Sequence, residues 1–255
     1  IASGKQSTAV GLDSKSTGET SIAIGTTSLA AGYSSTAVGS GAHAETAFDL
    51  AVGHKAIASG GQSTAVGFMS ESTGYASNAI GHSSLAEGYS STAVGSGARA
   101  ETAFDLAVGH KANASGGQST AVGFMSKSTG YASNAIGHSS LAEGYSSTAV
   151  GSGAHAKKAF DLAAGHNAIA SGEQSTAVGY GSNASGRASF AQGSSALASG
   201  DESIAIGDSS SATGKNSIAI GGESGANLDN SVALGSQSKT STNAVTVTSA
   251  TVGGI

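Results

Sequence analysis

Glycine falls at every fourteenth position from Gly11 to Gly235, seventeen times in succession without a slip. A period this strict marks a repeat array, in which one short unit stacks on copies of itself and touches only its neighbours. A second glycine series runs half a period away, at Gly4, Gly18, Gly32, Gly60, Gly74 and onward to Gly214. It lapses only at Thr46, Thr102, Lys158 and Leu228. A longer unit overlies the short one. Residues 33–88 and 89–144 are each four repeats long and differ only at His43/Arg99, Ile57/Asn113 and Glu71/Lys127. Duplication that keeps the 14-residue phase makes the short repeat the stacking unit.

Alternation with period two assigns the faces of that unit. Two positions before each regular glycine stands alanine, from Ala9 and Ala23 to Ala233, and two further back stands Ser, or Asp at 49, 105 and 161. Between them lie larger residues, as in Thr8-Ala9-Val10, Ile22-Ala23-Ile24 and Ile218-Ala219-Ile220. One face of this short strand is small and the other aliphatic. The second half-repeat has a similar small face (Ala30, Ala58, Ala86, Ala198), but its other face is mixed or polar, with Lys15, Thr17, His43, Glu45, Glu87 and Arg99. Fourteen residues at ~3.3 Å each give a perimeter of ~46 Å, enough for two short strands and two tight turns. The expected fold is therefore all-β: a parallel β-roll, or β-helix solenoid, of 14-residue coils. Stacked at ~4.8 Å, seventeen coils make a rod roughly 80 Å long.

Composition supports order of this kind. Forty residues are glycine, none is proline, cysteine or tryptophan, and 11% are charged. Large side chains are too few to fill a thick spherical core, while a chain without proline keeps the N–H groups that a β-ladder uses. The net charge of −5 argues against a nucleic-acid partner, which favours a basic stripe. No apolar run approaches the ~20 residues that cross a bilayer, and Ile1 to Gln6 do not resemble a signal peptide. The chain reads as part of something longer, held to a membrane only through an anchor outside it. GxSxG, HExxH and P-loop motifs are absent, and hexapeptide and nonapeptide solenoids have the wrong period. An enzyme is not expected, nor a cofactor.

With the small faces turned inward, the aliphatic face points out of its own coil. The residues expected to lie there and to form an interface between copies are Val10, Ile22, Ile24, Val38, Val52, Val66, Ile80, Val94, Val108, Val122, Ile136, Val150, Val178, Ile206, Ile220 and Leu234. A stripe of this length exceeds what a soluble monomer usually exposes. Burying Val or Ile is worth roughly 1.5–3 kcal/mol each, so self-association along the face is the simplest outcome. Periodicity alone does not distinguish two chains from three.

Asn216-Ser217-Ile218-Ala219-Ile220-Gly221-Gly222-Glu223-Ser224 and Asn230-Ser231-Val232-Ala233-Leu234-Gly235-Ser236-Gln237-Ser238 resemble the NSVAIGxxS repeat of YadA-like heads. These heads, built of haemagglutinin-type repeats, belong to trimeric autotransporter adhesins. The resemblance extends over residues 1–238. It implies a left-handed roll, a homotrimer, and display on the outer membrane of a Gram-negative bacterium, with a host matrix protein or cell-surface receptor as partner. Residues 62–67, 118–123 and 174–179 read Gln-Ser-Thr-Ala-Val-Gly and depart from the motif. The segment 239–255 drops the glycine phase and reads as an extended exit toward a neck or connector. The alternative to an adhesive head is a shaft that only projects another domain.

Three groups of larger side chains fall at the turns. Tyr33, Tyr75, Tyr89, Tyr131 and Tyr145 each follow a second-series glycine, and are candidates either for stacking on a ligand or for packing into ladders along the rod. His54, His82, His110, His138 and His166 follow regular glycines. Their 28-residue spacing puts neighbours ~10 Å apart, too far for two of them to share one metal within a chain; stacking or hydrogen bonding in the turn is the simpler role. Phe48, Phe104 and Phe160 sit where the second glycine has lapsed. They suit a receptor anchor, or packing that replaces the missing tight turn, with the following Asp capping backbone N–H groups.

Overall fold

The computed structural model describes residues 1–241, and every regular element among them is a β-strand. Seventeen three-residue strands, from Thr8–Val10 to Val232–Leu234, form one parallel sheet. Sixteen two-residue strands, from Lys15–Ser16 to Gly225–Ala226, form the second. Each strand pairs with the one fourteen residues away: Thr8, Ala9 and Val10 face Ile22, Ala23 and Ile24, and the same register holds to Ile220↔Leu234. One strand of each sheet and two turns make a coil, so the chain is a parallel β-solenoid. The ladder continues past the last named strand, where Lys239 pairs with Gly225. Beyond Ser241 the expected exit segment lies outside the described residues.

The interior is built from alanine and serine. Ala23, Ala37, Ala51 and their successors through Ala219 are 0% exposed, as are Ser21, Ser35 and Ser77. Among the described residues nothing larger than an aspartate is fully buried: Asp49, Asp105 and Asp161 head the side chains so enclosed. A coil only two strands wide leaves no room for more, and close packing forbids both voids and excess volume. With so little apolar bulk inside, cohesion depends on the ladder. Its bonds are short and regular, such as Gly81 N to Val66 O at 2.8 Å and Gly95 N to Ile80 O at 2.8 Å.

The two glycine series answer to different constraints. Gly109 has φ +132°, and a Cβ there would lie 2.5 Å from the carbonyl oxygen of Gly123 in the next coil, so backbone and stacking both exclude a side chain. Gly74 has no positive φ; a Cβ on it would sit 2.1 Å from Gly88 O, and stacking alone demands glycine. At three of the four lapses, Thr46, Thr102 and Lys158, the turn is rebuilt around aspartate; at Leu228 a serine, Ser231, donates to the carbonyl three residues back. In several other coils the inner serine donates its hydroxyl to the glycine carbonyl three residues back, as Ser21 does to Gly18 and Ser77 to Gly74. Asp49 instead accepts from the backbone N–H of Thr46 and, across the stack, from the N–H of Gly61 and Ser63.

Candidate adhesive and assembly surfaces

The aliphatic residues singled out above emerge on the outer face of the three-residue sheet. Val10, Ile24, Val38, Val52, Val66, Ile80 and Val94 are consecutive partners in one ladder, which runs on through Val108, Val122, Ile136 and Val150. It resumes at Val178, Ile206, Ile220 and Leu234. Ile22 lies in the adjacent ladder of the same face, beside Thr8 and Thr36. Ile24 is 40%, Ile80 42% and Val10 55% exposed; most valines in the middle of the ladder are half-buried by their own neighbours. The adjacent ladder also carries Leu50, Leu106, Leu162, Ile204 and Ile218, which belong to the same surface through the period of two. The ladder is interrupted at Ala164 and Gln192.

The opposite outer face, on the two-residue strands, is mixed. His43, Ile57 and Glu71 are successive partners in one ladder, and so are Arg99, Asn113 and Lys127 in the duplicate. All three differences between the 56-residue copies therefore stand in a single column on one face. Glu71 and Lys127 are both exposed, so this column accommodates either sign of charge, as a solvated face does. The aliphatic face is identical in the two copies.

The turn edges carry aromatic ladders. Tyr75 stacks on Tyr89 at 5.7 Å, and Tyr89 meets Phe104 edge-on at 5.4 Å. Tyr131, Tyr145 and Phe160 repeat the arrangement at 5.7 and 5.5 Å, and Tyr33 with Phe48 forms its first, shorter copy. The tyrosines thus pack along the rod and remain about half exposed, Tyr89 at 52%. Gln62 donates its side-chain amide to the Tyr75 hydroxyl, and Gly61 beside it leaves room for the ring. Each Phe rests on the tyrosine of the preceding coil in its own chain. At the other edge Phe68 lies between His54 and His82, 5.2 Å from each; Phe124 lies between His110 and His138, and His166 stacks on Tyr180. The histidines are stacking partners of aromatic rings. Among the described residues no three His, Asp or Glu side chains converge as a metal cluster.

The openings on this surface are shallow. One of about 310 Å³ is lined by Asp13, Lys15, Thr27, Ser28, Leu29 and His43, and one of about 380 Å³ lies near Ser211, Glu223 and Lys239.

Two narrow parallel sheets around an alanine–serine interior, with candidate residues spread along faces and edges, define a repeat solenoid. The chain belongs to the YadA head domain repeat family, whose model (two repeat copies) matches residues 2–28, 49–70, 72–98, 105–124, 128–154, 156–182, 184–210 and 212–238. A search of curated proteins finds no match. Among solved structures, the collagen-binding domain of the Yersinia adhesin YadA is similar, at 36% identity with a TM-score of 0.41. That likeness covers 49% of this chain and 66% of the Yersinia chain.

Proposed function

We propose that this chain is the adhesive head of a bacterial surface fibre and works as a parallel homotrimer. The observation that carries the reading is the uncovered aliphatic ladder from Val10 to Leu234. A partner for it must repeat at the coil spacing along the whole rod, and a second copy of the chain meets that condition by construction. A strip of roughly 80 by 10 Å gives about 800 Å² per partner, the size of a standard stable interface. Membership in the YadA head repeat family supports three chains rather than two.

With the aliphatic face covered, the mixed face and the aromatic edges remain outside. Ligand contact is assigned to the edges at Tyr33, Tyr75, Tyr89, Tyr131 and Tyr145, where rings are exposed and recur every four coils. Three copies of each edge in one trimer raise avidity without a deep pocket. The partner is a host matrix protein or cell-surface receptor, met at the surface of a Gram-negative cell. Collagen, named for the similar Yersinia domain, is the first ligand to try.

A second reading has its own support. The duplicated block 33–88 and 89–144 lengthens the rod by four coils without altering the aliphatic face, which is what a spacer needs. Sedimentation mass followed by binding to collagen, fibronectin and laminin separates the two. A trimer that binds supports the head, a trimer that binds none of them supports the shaft, and a stable monomer removes the assembly common to both.

A further inference from the structure

A periodic rod has an assembly problem that a globular protein lacks. Once two copies lie side by side through their aliphatic ladders, a slide by one coil, ~4.8 Å, sets Val and Ile against other Val and Ile. A slide by four coils sets residues 33–88 against the nearly identical 89–144. Burial in this ladder therefore discriminates poorly between one-coil registers. The adjacent ladder, where Thr36, Leu50, Thr64 and Asn78 recur as Thr92, Leu106, Thr120 and Asn134, discriminates poorly between registers four coils apart, and the remaining information has to come from positions that break the period.

Two positions break this ladder. Ala164 stands between Val150 and Val178, and Gln192 stands between Val178 and Ile206. Gln192 is exposed on the outer face, in the strand Phe190–Gln192. Neither position has an equivalent one block earlier, where the matching residues are Val108 and Ile136. Both breaks lie outside the duplicated region, where a slide by one block would otherwise go undetected.

We propose that Gln192 sets the axial register in which copies of this chain pack in parallel. This rests on the assembly put forward under Proposed function and adds a role for one residue within it. In register, the carboxamide of each chain meets that of its neighbour, and an amide offers both donors and an acceptor, so the groups satisfy one another. Shifted by one coil, each carboxamide faces Val178 or Ile206 and loses water without gaining a partner. A two-coil shift puts Gln192 of one chain opposite the small Ala164 of its neighbour, but leaves the neighbour's Gln192 against Ile220. A single polar residue in an apolar seam fixes register in coiled coils by the same logic, at some cost in stability.

The test uses the whole 255-residue chain. A photoreactive benzoylphenylalanine in place of Ile220 is cross-linked within the assembly, and tandem mass spectrometry maps the coils it reaches. Sedimentation mass is measured on the same samples. The parent assembly is expected to give one cluster of cross-links, centred on the strand Ile218–Ile220. Gln192→Val is expected to keep the mass and an equal or higher melting temperature, while cross-links displaced by one or more coils rise severalfold. Gln192→Asn, which keeps the amide, is expected to restore the single cluster. A single cluster in Gln192→Val at unchanged mass overturns the register role and leaves the assembly standing, as do several clusters in the parent. A monomeric parent overturns both.

Discussion

Oδ1 of Asp105 accepts a hydrogen bond from the backbone N–H of Ser119, one coil further along, at 2.9 Å, and a second from the Ser119 hydroxyl at 2.8 Å. Its other oxygen accepts from the N–H of Thr102 at 2.9 Å. The carboxylate is 1% exposed, so these bonds stand in for all the water it has lost. Asp49 and Asp161 make the same clasp, at intervals of four coils.

Removing the clasp leaves buried N–H groups without acceptors, and bonds to charged acceptors contribute about 1.5–3 kcal/mol each. Asp105→Ala is expected to lower unfolding free energy by about 3 kcal/mol or more, read as the shift of the urea midpoint in circular dichroism. Asp105→Asn, which keeps one acceptor oxygen, is expected to lose less. A loss below ~1 kcal/mol for the alanine variant shows that the clasp is not holding these coils together.

The two constraints on regular glycines predict a sharp contrast. Gly109→Ala forces a left-handed φ on alanine and drives its Cβ into the carbonyl of Gly123, and is expected to cost upward of ~3 kcal/mol or to prevent folding. Gly222 is different: the nearest atom to an added Cβ lies 3.9 Å away, and its φ is not left-handed. Gly222→Ala is expected to stay within about 0.5 kcal/mol of the parent. Equal melting temperatures for the two variants contradict the stacking geometry.

Many turns place a residue with a side chain in the left-handed region, Ala188 among them at φ 52°. That conformation costs an L-residue about 1–2 kcal/mol, and glycine gives back part of it through its greater unfolded-state entropy. Ala188→Gly is therefore expected to stabilise the rod by about 0.5–1 kcal/mol. Thermal unfolding of the exposed-site variant checks the sign; a lower midpoint means the turn is not strained.

Tyr89 and Tyr145 each stack between a tyrosine and a phenylalanine on an exposed edge. Such aromatic pairs contribute about 0.5–1.5 kcal/mol each, so replacing both tyrosines by serine is expected to leave coil count and assembly mass unchanged. Attachment to the ligand found in the matrix panel is expected to fall by about tenfold or more, because loss at two sites in three chains compounds. Unchanged attachment moves the contact to another surface.

The repeat carried its fold openly in the sequence because stacking imposes a local rule. Glycine is demanded where a Cβ meets the next coil, as at Gly74 against Gly88, and alanine or serine wherever a side chain enters the narrow interior, as at Ala37 and Ser35. Both rules act on residues fourteen apart, so periodicity reveals them. The outward direction of Val10, Ile24 and Val38 followed from the same alternation. The lapses were visible as lapses, and the local cap of Asp105 on the Thr102 N–H was expected, but its bond to the Ser119 N–H was not, since only the stack brings that group to the carboxylate.

The sequence by itself determined the coil, its inner and outer faces, and the order of the stack, because each is a consequence of contacts at a constant separation. Tertiary structure alone decided what the irregular residues do. It set Phe104 edge-on against Tyr89, fifteen residues back and so out of phase with the repeat, and brought the side-chain amide of Gln62 to the hydroxyl of Tyr75, thirteen residues on. Those contacts depend on where side chains lean across neighbouring turns, and no spacing rule along the chain encodes that direction.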